Sequence, residues 1–258
     1  MSSGFRAKKR FGQNFLHDQF VISQIIQSIS PHGQDHLVEI GPGQGAITRQ
    51  LLPACNKLDV VELDRDLVKL LNTQFQNSNL RIHSADALKF DFCSLASDDK
   101  LKVVGNLPYN ISTPLIFHLL EKSDCILSMH FMLQKEVVDR LAAYPNSKAY
   151  GKLSVVTQCL CEVSHEFDIP PEAFDPQPKV MSAFVKLVPR TSSLIDESDW
   201  PTFIQIVTAA FSHRRKTLRN NLKKIIDIDQ ANEIIDLGRR AETLSIEEFK
   251  KLSRCSLK

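Results

Sequence analysis

Along the first two-thirds of the chain, apolar and polar residues follow two alternating patterns. Short runs rich in β-branched residues predict strands, and longer segments with apolar residues every three or four positions predict helices. The predicted strands are Leu37–Ile40, Leu58–Leu63, Leu80–His83, Leu101–Val104 and Met129–Leu133. The predicted helices are Phe20–Ile29, Ala46–Leu52, Asp66–Phe75, Pro114–Leu120 and Lys135–Ala143. Such alternation is typical of an α/β fold with a doubly wound, mostly parallel sheet.

The last third of the chain changes pattern. Ser154–Val163 and Ser182–Val188 predict two more strands without a clear helix between them, which favours an antiparallel pair at the sheet edge. The proline-rich linker Pro170–Pro178 between them predicts a stiff, extended path. Beyond the polar stretch Arg190–Asp199 the pattern is helical. We therefore predict an α/β domain over residues 1–190 and a small all-helical domain over residues 191–258.

Composition narrows the class of protein. The 258 residues are 43% hydrophobic, which suffices for a sizeable core. No apolar run approaches the roughly 18–20 residues that cross a bilayer, and the N-terminus lacks the apolar stretch of a secretory signal. The six cysteines are scattered, and Cys159 and Cys161 are expected to share one strand face as small hydrophobes. We expect a cytoplasmic protein with reduced thiols, no disulfide, no metal site and no membrane contact.

The net charge of +2 is uninformative, but the basic residues are clustered. One cluster comprises Arg6, Lys8, Lys9 and Arg10, and the other comprises Arg214, Arg215, Lys216, Arg219, Lys223 and Lys224. No acidic residue lies between His213 and Lys224. Such clusters attract phosphates, although each alone could equally be a solvated helix face.

A glycine-rich turn follows the first predicted strand of the sheet. Gly41, Gly43 and Gly45 would let the backbone turn tightly and approach a ligand without an intervening Cβ. Their spacing is Gly-x-Gly-x-Gly, which differs from the dinucleotide fingerprint Gly-x-Gly-x-x-Gly. Alone, the turn could be purely structural.

Two acidic residues at later strand ends strengthen a cofactor interpretation. Glu62 ends the next strand, where an acid can accept both hydroxyls of a ribose. Asp86 follows the third strand, where a carboxylate can accept from an adenine amino group. An S-adenosyl-L-methionine site requires such groups at successive strand ends, and here they are the glycine loop, Glu62 and Asp86. A solvent-facing acid or a helix N-terminal charge is the alternative for Glu62.

The segment Asn106-Leu107-Pro108-Tyr109 ends the fourth predicted strand. The Asn106 side-chain oxygen and the Leu107 carbonyl, which Pro108 holds extended, could each accept one N–H of an exocyclic amine. Tyr109 could stack on the flat base that carries this amine, with Phe174 as the candidate for the opposite face. This predicts methyl transfer to the adenine amino group. A proline turn with a half-buried tyrosine and a structural Phe174 are the alternatives.

Together these segments resemble the bacterial small-subunit (16S) rRNA adenine N6-dimethyltransferase family over nearly the whole chain. The matching segments are Lys9–Leu16, Glu39–Gly45, Val61–Asp64, Asn106–Ser112, Gln134–Val137, Phe174–Val180 and Phe211–Arg219. The resemblance implies a Rossmann-like methyltransferase domain that binds S-adenosyl-L-methionine through Asn14, Leu16, Gly41, Glu62, Asp86 and Asn106, with Gln13–Leu16 as a lid.

The resemblance also implies a substrate and a partner. Family members dimethylate two adjacent adenosines in the 3′-terminal hairpin loop of 16S rRNA within the assembling 30S subunit. The helical domain would contact rRNA phosphates through the second basic cluster, and no apolar stripe is left over to require an oligomer. The expectation is therefore a monomer that acts on RNA and not on DNA. The alternatives are a 23S rRNA adenine methyltransferase and a non-catalytic ribosome assembly factor on the same fold.

Overall fold

The computed structural model describes residues 7–8, 12–97, 99–192 and 194–256, so Arg6, Lys9, Arg10 and Phe11 of the N-terminal motifs lie outside the described residues. The strands are β1 (Phe15–Leu16), β2 (His36–Ile40), β3 (Lys57–Glu62), β4 (Arg81–Ser84), β5 (Leu101–Asn106), β6 (Ile126–Gln134), β7 (Cys161–Ile169), β8 (Phe174–Asp175) and β9 (Ser182–Pro189). The α-helices are α1 (Gln19–Ile29), α2 (Thr48–Leu51), α3 (Arg65–Gln74), α4 (Ser112–Leu120), α5 (Lys135–Leu141), α6 (Lys152–Leu160), α7 (Trp200–Ala210), α8 (Leu218–Leu222), α9 (Ile228–Ile234) and α10 (Ile246–Ser253).

The main sheet has the strand order β4-β3-β2-β5-β6-β9-β7. The pairs β3–β4, β2–β3, β2–β5 and β5–β6 are parallel, and β6–β9 is antiparallel. The chain runs outward from β2 to β4 and then resumes at β5 on the other side of β2. This confirms the doubly wound, mostly parallel sheet. Its topological switch point lies between β2 and β5, where ligands bind in such folds.

The early elements form because their apolar positions can be buried against this sheet. Every residue of β2 is buried, which is typical of a parallel strand covered on both faces. Helix α1 buries Val21, Ile22, Ile25 and Ile29 on one face. It begins after Asp18, whose carboxylate accepts hydrogen bonds from the backbone N–H groups of Phe20 and Val21. The five strands and five helices predicted before residue 144 are all present.

The strand predicted over Ser154–Val163 is wrong. Residues Lys152–Leu160 form helix α6, and strand β7 begins only at Cys161. Cys159 and Cys161 therefore do not share a strand face. Nearly all of α6 is buried, so its apolar residues show no helical period that would separate it from a buried strand.

The expectation of unpaired cysteines is also wrong for one pair. A disulfide joins Cys93 to Cys125, whose Cα atoms are 5.5 Å apart. Cys93 follows β4 and Cys125 precedes β6, so the two approach only because the fold brings distant segments together. Their separation of 32 residues carries no local spacing signal. Cys55, Cys159, Cys161 and Cys255 have free thiols.

The chain divides into two compact units. One comprises Met1–Val138 and Ser164–Pro189, and the other comprises Asp139–Val163 and Arg190–Lys258. The second unit therefore takes in a segment that precedes Arg190, and an independently folding domain over residues 191–258 stays a prediction. Among the residues described, every helix is too short or too polar to cross a bilayer.

Candidate active site

The loop between β2 and α2 turns through glycines in the left-handed region of φ. The φ angle is 65° at Gly41 and 57° at Gly43, which residues with a Cβ adopt at a cost. A Cβ on Gly43 would also lie 3.0 Å from the ring of Phe15. The Phe15 ring therefore leaves little room for a side chain at Gly43, and the loop borders the space at the switch point with main-chain atoms at both glycines.

Glu62 lies at the carboxyl end of β3, beside this loop. Its side chain is buried, and its Oε1 accepts a hydrogen bond from the backbone N–H of Asp64 at 2.8 Å. Burial raises the pKa of the Glu62 carboxyl, and the N–H groups of Asp64 and Gly43 offset part of this effect. A buried carboxylate with acceptor capacity remaining is well suited to bind paired hydroxyl groups.

The structure brings together nearly all of the predicted cofactor and substrate residues. One cavity of about 350 Å³ is lined by both groups, which places it within the size range of small-molecule sites. The predicted residues among its lining are Asn14, Leu16, Gly41, Gly43, Glu62, Asp86, Asn106, Leu107, Pro108 and Tyr109. Asp86 is half-buried and its Oδ1 also accepts the backbone N–H of Leu88 at 3.0 Å.

Asn106 is the last residue of β5, at the switch point itself. Its side-chain Nδ2 donates a hydrogen bond to the backbone carbonyl of Asn14 at 3.0 Å. With the amide nitrogen engaged, the carbonyl oxygen Oδ1 is the acceptor that Asn106 can offer to a substrate. Leu107 is buried, and its backbone N–H donates to the carbonyl of Met132 at 3.2 Å, which ties the motif to β6.

The two predicted stacking residues differ in position. Tyr109 is half-buried and lines the cavity. Phe174 is only 2% exposed, belongs to the hydrophobic core and pairs with Leu16 between β8 and β1. It is absent from the cavity lining, so a stacking role for Phe174 would require its ring to leave the core. That role stays a prediction.

The N-terminal segment closes one side of the cavity. Gln13, Asn14, Phe15 and Leu16 all line it, and β1 pairs antiparallel with β8. Gln13 Nε2 donates to Asp64 Oδ2 at 3.0 Å, and Lys8 Nζ contacts Asp64 Oδ1 at 2.6 Å. These contacts hold the N-terminal segment beside Asp64, two residues after Glu62. Its opening and closing as a lid stays a prediction.

Leu63 and Glu39 are among the cavity residues that sequence reasoning did not single out. Leu63 is apolar yet 50% exposed, and it lines the cavity next to Glu62. Glu39 is buried beneath the glycine loop, and Thr48 Oγ1 donates to its Oε2 at 2.6 Å. Burial raises the pKa of Glu39 to about 7, the Thr48 hydrogen bond opposes this, and the charge of Glu62 adds to it. The available signal for Glu39 was an acid as the last-but-one residue of a buried strand, directly before the glycine loop.

The residues of the basic cluster of the second unit differ in their hydrogen bonds. Arg214 Nη2 donates to the carbonyls of Lys148 and Tyr150 at 2.9 and 3.3 Å, and Arg219 Nη2 donates to Asn232 Oδ1 at 3.2 Å. These two arginines therefore help to hold the unit together. All six residues of the cluster are exposed to solvent, so Arg214 and Arg219 differ from the others only in having these hydrogen bonds within the unit.

The family is decided by comparison with known proteins. Residues 4–256 match the family model described as ribosomal RNA adenine dimethylase. The chain belongs to this family. A ribosomal RNA small subunit methyltransferase A from Saccharophagus degradans is 56% identical over 255 residues, which cover 97% of this chain and 94% of the relative. The resemblance noted from the sequence motifs is thereby confirmed.

Two solved structures share the dimethylase fold. A dimethyladenosine transferase from Plasmodium falciparum superimposes with a TM-score of 0.81 at 24% identity, covering 94% of this chain and 99% of that chain. The 23S rRNA methyltransferase ErmE superimposes with a TM-score of 0.76 at 22% identity, covering 93% of this chain and 98% of that chain. At these identities the likeness concerns the fold alone.

The cavity of this dimethylase fits S-adenosyl-L-methionine, the methyl donor of the family. Gly41 and Gly43 line the cavity without side chains, and buried Glu62 has the acceptor oxygens that a ribose diol would need. Leu63 contributes an apolar side chain to the cavity wall. The assignment of individual residues to parts of the cofactor stays a prediction.

Proposed function

We propose that this protein dimethylates the N6 amino groups of two adjacent adenosines in the 3′-terminal hairpin loop of 16S rRNA during assembly of the small ribosomal subunit. One observation carries the proposal. A single cavity combines the residues suited to the methyl donor with the segment Asn106–Tyr109, which is suited to an exocyclic amine. The name of the 56% identical relative supports the small subunit as the source of the substrate.

The residues of the protein supply position and electrostatics for this reaction. S-Adenosyl-L-methionine provides an already activated methyl group, so no strong acid or base is needed, and correct placement supplies much of the rate. The lone pair of the adenine amine is delocalised into the ring. Asn106 Oδ1 and the Leu107 carbonyl would each accept one N–H, which favours a tetrahedral nitrogen with a more available lone pair.

The target base must leave its stack to reach this cavity, and a single-stranded hairpin loop lets it do so at low cost. Tyr109, half-buried at the cavity, offers a ring face to the displaced base. Exposed Arg215, Lys216 and Lys223 would contact phosphates of the surrounding rRNA. We propose that the enzyme acts as a monomer in the cytoplasm on partly assembled subunits.

The two alternative functions have less support. The small-subunit relative matches at 56% identity, whereas the likeness to the 23S rRNA enzyme is 22% and concerns the fold. A purely structural assembly factor would have no use for Asn106 oriented by Asn14 beside a cavity with buried Glu62. A role as an assembly checkpoint could accompany catalysis.

Transfer of tritiated methyl groups to purified ribosomal particles tests the proposal. Small subunits from a strain that lacks this methylation would be compared with large subunits and duplex DNA. We expect label in small subunits alone. Label in large subunits would favour the 23S alternative, and cofactor binding without transfer to any substrate would favour the assembly factor.

A further inference from the structure

Ser182 lies outside the motifs assigned to the reaction, yet it contacts the residue proposed to hold the target base. The hydroxyl groups of Tyr109 and Ser182 are hydrogen-bonded, with their oxygen atoms 3.0 Å apart. Ser182 is 1% exposed, whereas Tyr109 is half-buried and lines the cavity. The bond therefore joins a residue of the cavity wall to a fixed point in the protein interior.

The strands around Ser182 make this point rigid. Ser182 is the first residue of β9 and pairs with Gln134, the last residue of β6. Strand β6 pairs in turn with β5, where Met132 lies opposite Asn106. Ser182 and Asn106 are thus held by one continuous set of paired strands, and the distance between them is fixed by backbone hydrogen bonds.

Tyr109 itself lies in the turn between β5 and α4, where the backbone is less constrained than in a strand. The Ser112 hydroxyl donates to the Tyr109 carbonyl at 3.2 Å, which holds its main chain. The ring still has two side-chain torsions, and a ring at a cavity edge can turn toward solvent. A hydrogen bond from the phenolic end to a buried partner selects one orientation of the ring.

We propose that Ser182 is a positioning residue that fixes the Tyr109 ring at the orientation needed to stack on the target adenine. This inference rests on the proposed function, because the adenine is the base that the ring would meet. It predicts that loss of either hydroxyl misplaces the ring and slows methyl transfer, while binding of the methyl donor at Glu62 and the glycine loop is unaffected.

The test compares Ser182→Ala, Tyr109→Phe and the double variant. Each single change should lower kcat for adenine methylation roughly five- to twentyfold, with an unchanged dissociation constant for S-adenosyl-L-methionine. The double variant should be no slower than the slower single variant, because both changes remove the same bond. Ser128→Ala is the matched control, since Ser128 is another buried serine of the same sheet, bonded to His130. It should keep full kcat.

A second readout does not depend on activity. The chain has three tyrosines, so protein labelled with 3-fluorotyrosine should give three resolvable fluorine resonances, of which Tyr109 is the one missing in Tyr109→Phe. Ser182→Ala should shift or broaden that resonance, and Ser128→Ala should leave it unchanged. Wild-type kcat in Ser182→Ala, multiplicative losses in the double variant, or an unchanged Tyr109 resonance would each overturn the proposal. Absence of methylation by the wild-type protein would instead refute the proposed function.

Discussion

The side-chain amide of Asn106 donates to the main-chain carbonyl of Asn14 at 3.0 Å, across 92 positions of sequence. The bond orients the Asn106 amide and at the same time ties the N-terminal segment to the end of β5. A residue proposed to hold the substrate amine is therefore oriented by a residue proposed to contact the cofactor. Binding of the two ligands is expected to be coupled through this pair.

Replacement of Asn106 by Ala should lower kcat about 100- to 1000-fold, the range for loss of one preorganised polar group at a reacting centre. Affinity for the methyl donor should stay within about tenfold, since Glu62 and the glycine loop are untouched. Single-turnover transfer and calorimetry would separate the two effects. Near-normal turnover would remove Asn106 from its role as acceptor.

Glu62→Ala should mainly weaken binding of the methyl donor, whereas Asn106→Ala should mainly lower kcat. Loss of charge-assisted hydrogen bonds from a buried carboxylate should weaken binding of S-adenosyl-L-methionine about 10- to 100-fold. Titration calorimetry would measure this, with the exposed acid Glu121 replaced by Ala as control. An unchanged dissociation constant would show that Glu62 does not contact the cofactor.

Glu39 should make the stability of the ligand-free protein depend on pH. Its pKa is about 7 in the fold against an ordinary value of 4.5, because burial disfavours the charged form. The folded state therefore keeps a proton that the unfolded chain has released, and stability falls as pH rises from about 4.5 to about 7 and then levels off. The effect is on the order of 3 kcal/mol.

Glu39→Gln can still accept from Thr48 but carries no charge at any pH. Its stability relative to wild type should rise between about pH 4.5 and about pH 7 and then stay constant, and urea unfolding at several pH values would measure the difference. Titrating groups that do not interact with Glu39 are common to both proteins and cancel. A difference that is constant over this range would contradict the assignment.

Phosphate binding by the second basic cluster should appear in the salt dependence of rRNA binding. Replacing Arg215, Lys216 and Lys223 together by Gln should weaken binding and reduce the slope of log affinity against log salt by about 0.7 to 0.9 for each phosphate that is no longer neutralised. Arg214→Gln is a separate test, because Arg214 also bonds to the carbonyls of Lys148 and Tyr150 and should affect stability. An unaltered slope in the triple variant would leave the cluster as a solvated surface.

Strand and helix positions before residue 144 were predictable because short β-branched apolar runs alternate with segments of helical period. Parallel strands also place their carboxyl ends at one edge of the sheet. Thus Gly41, Glu62, Asp86 and Asn106 could be expected to lie together. The bond between Asn106 and Asn14 could not, since it depends on how an irregular N-terminal segment crosses that edge.

Other features depended on tertiary packing that local patterns do not carry. Helix α6 is buried almost all round, which hides its period. The pairing of Cys93 with Cys125 and the bond of Tyr109 to Ser182 join segments that are distant in sequence. The position of Phe174 in the proline-rich linker suggested a residue that stacks on the target base, yet its ring lies in the hydrophobic core.

Nucleoside analysis of small subunits after reaction with S-adenosyl-L-methionine tests the central claim most directly. We predict N6,N6-dimethyladenosine at two adjacent positions of the 3′-terminal hairpin of 16S rRNA, and an initial rate of its formation about 100- to 1000-fold lower with the Asn106→Ala variant under the same conditions. Dimethyladenosine in 23S rRNA, methyl groups on another atom or base, or an undiminished initial rate with Asn106→Ala would contradict this claim.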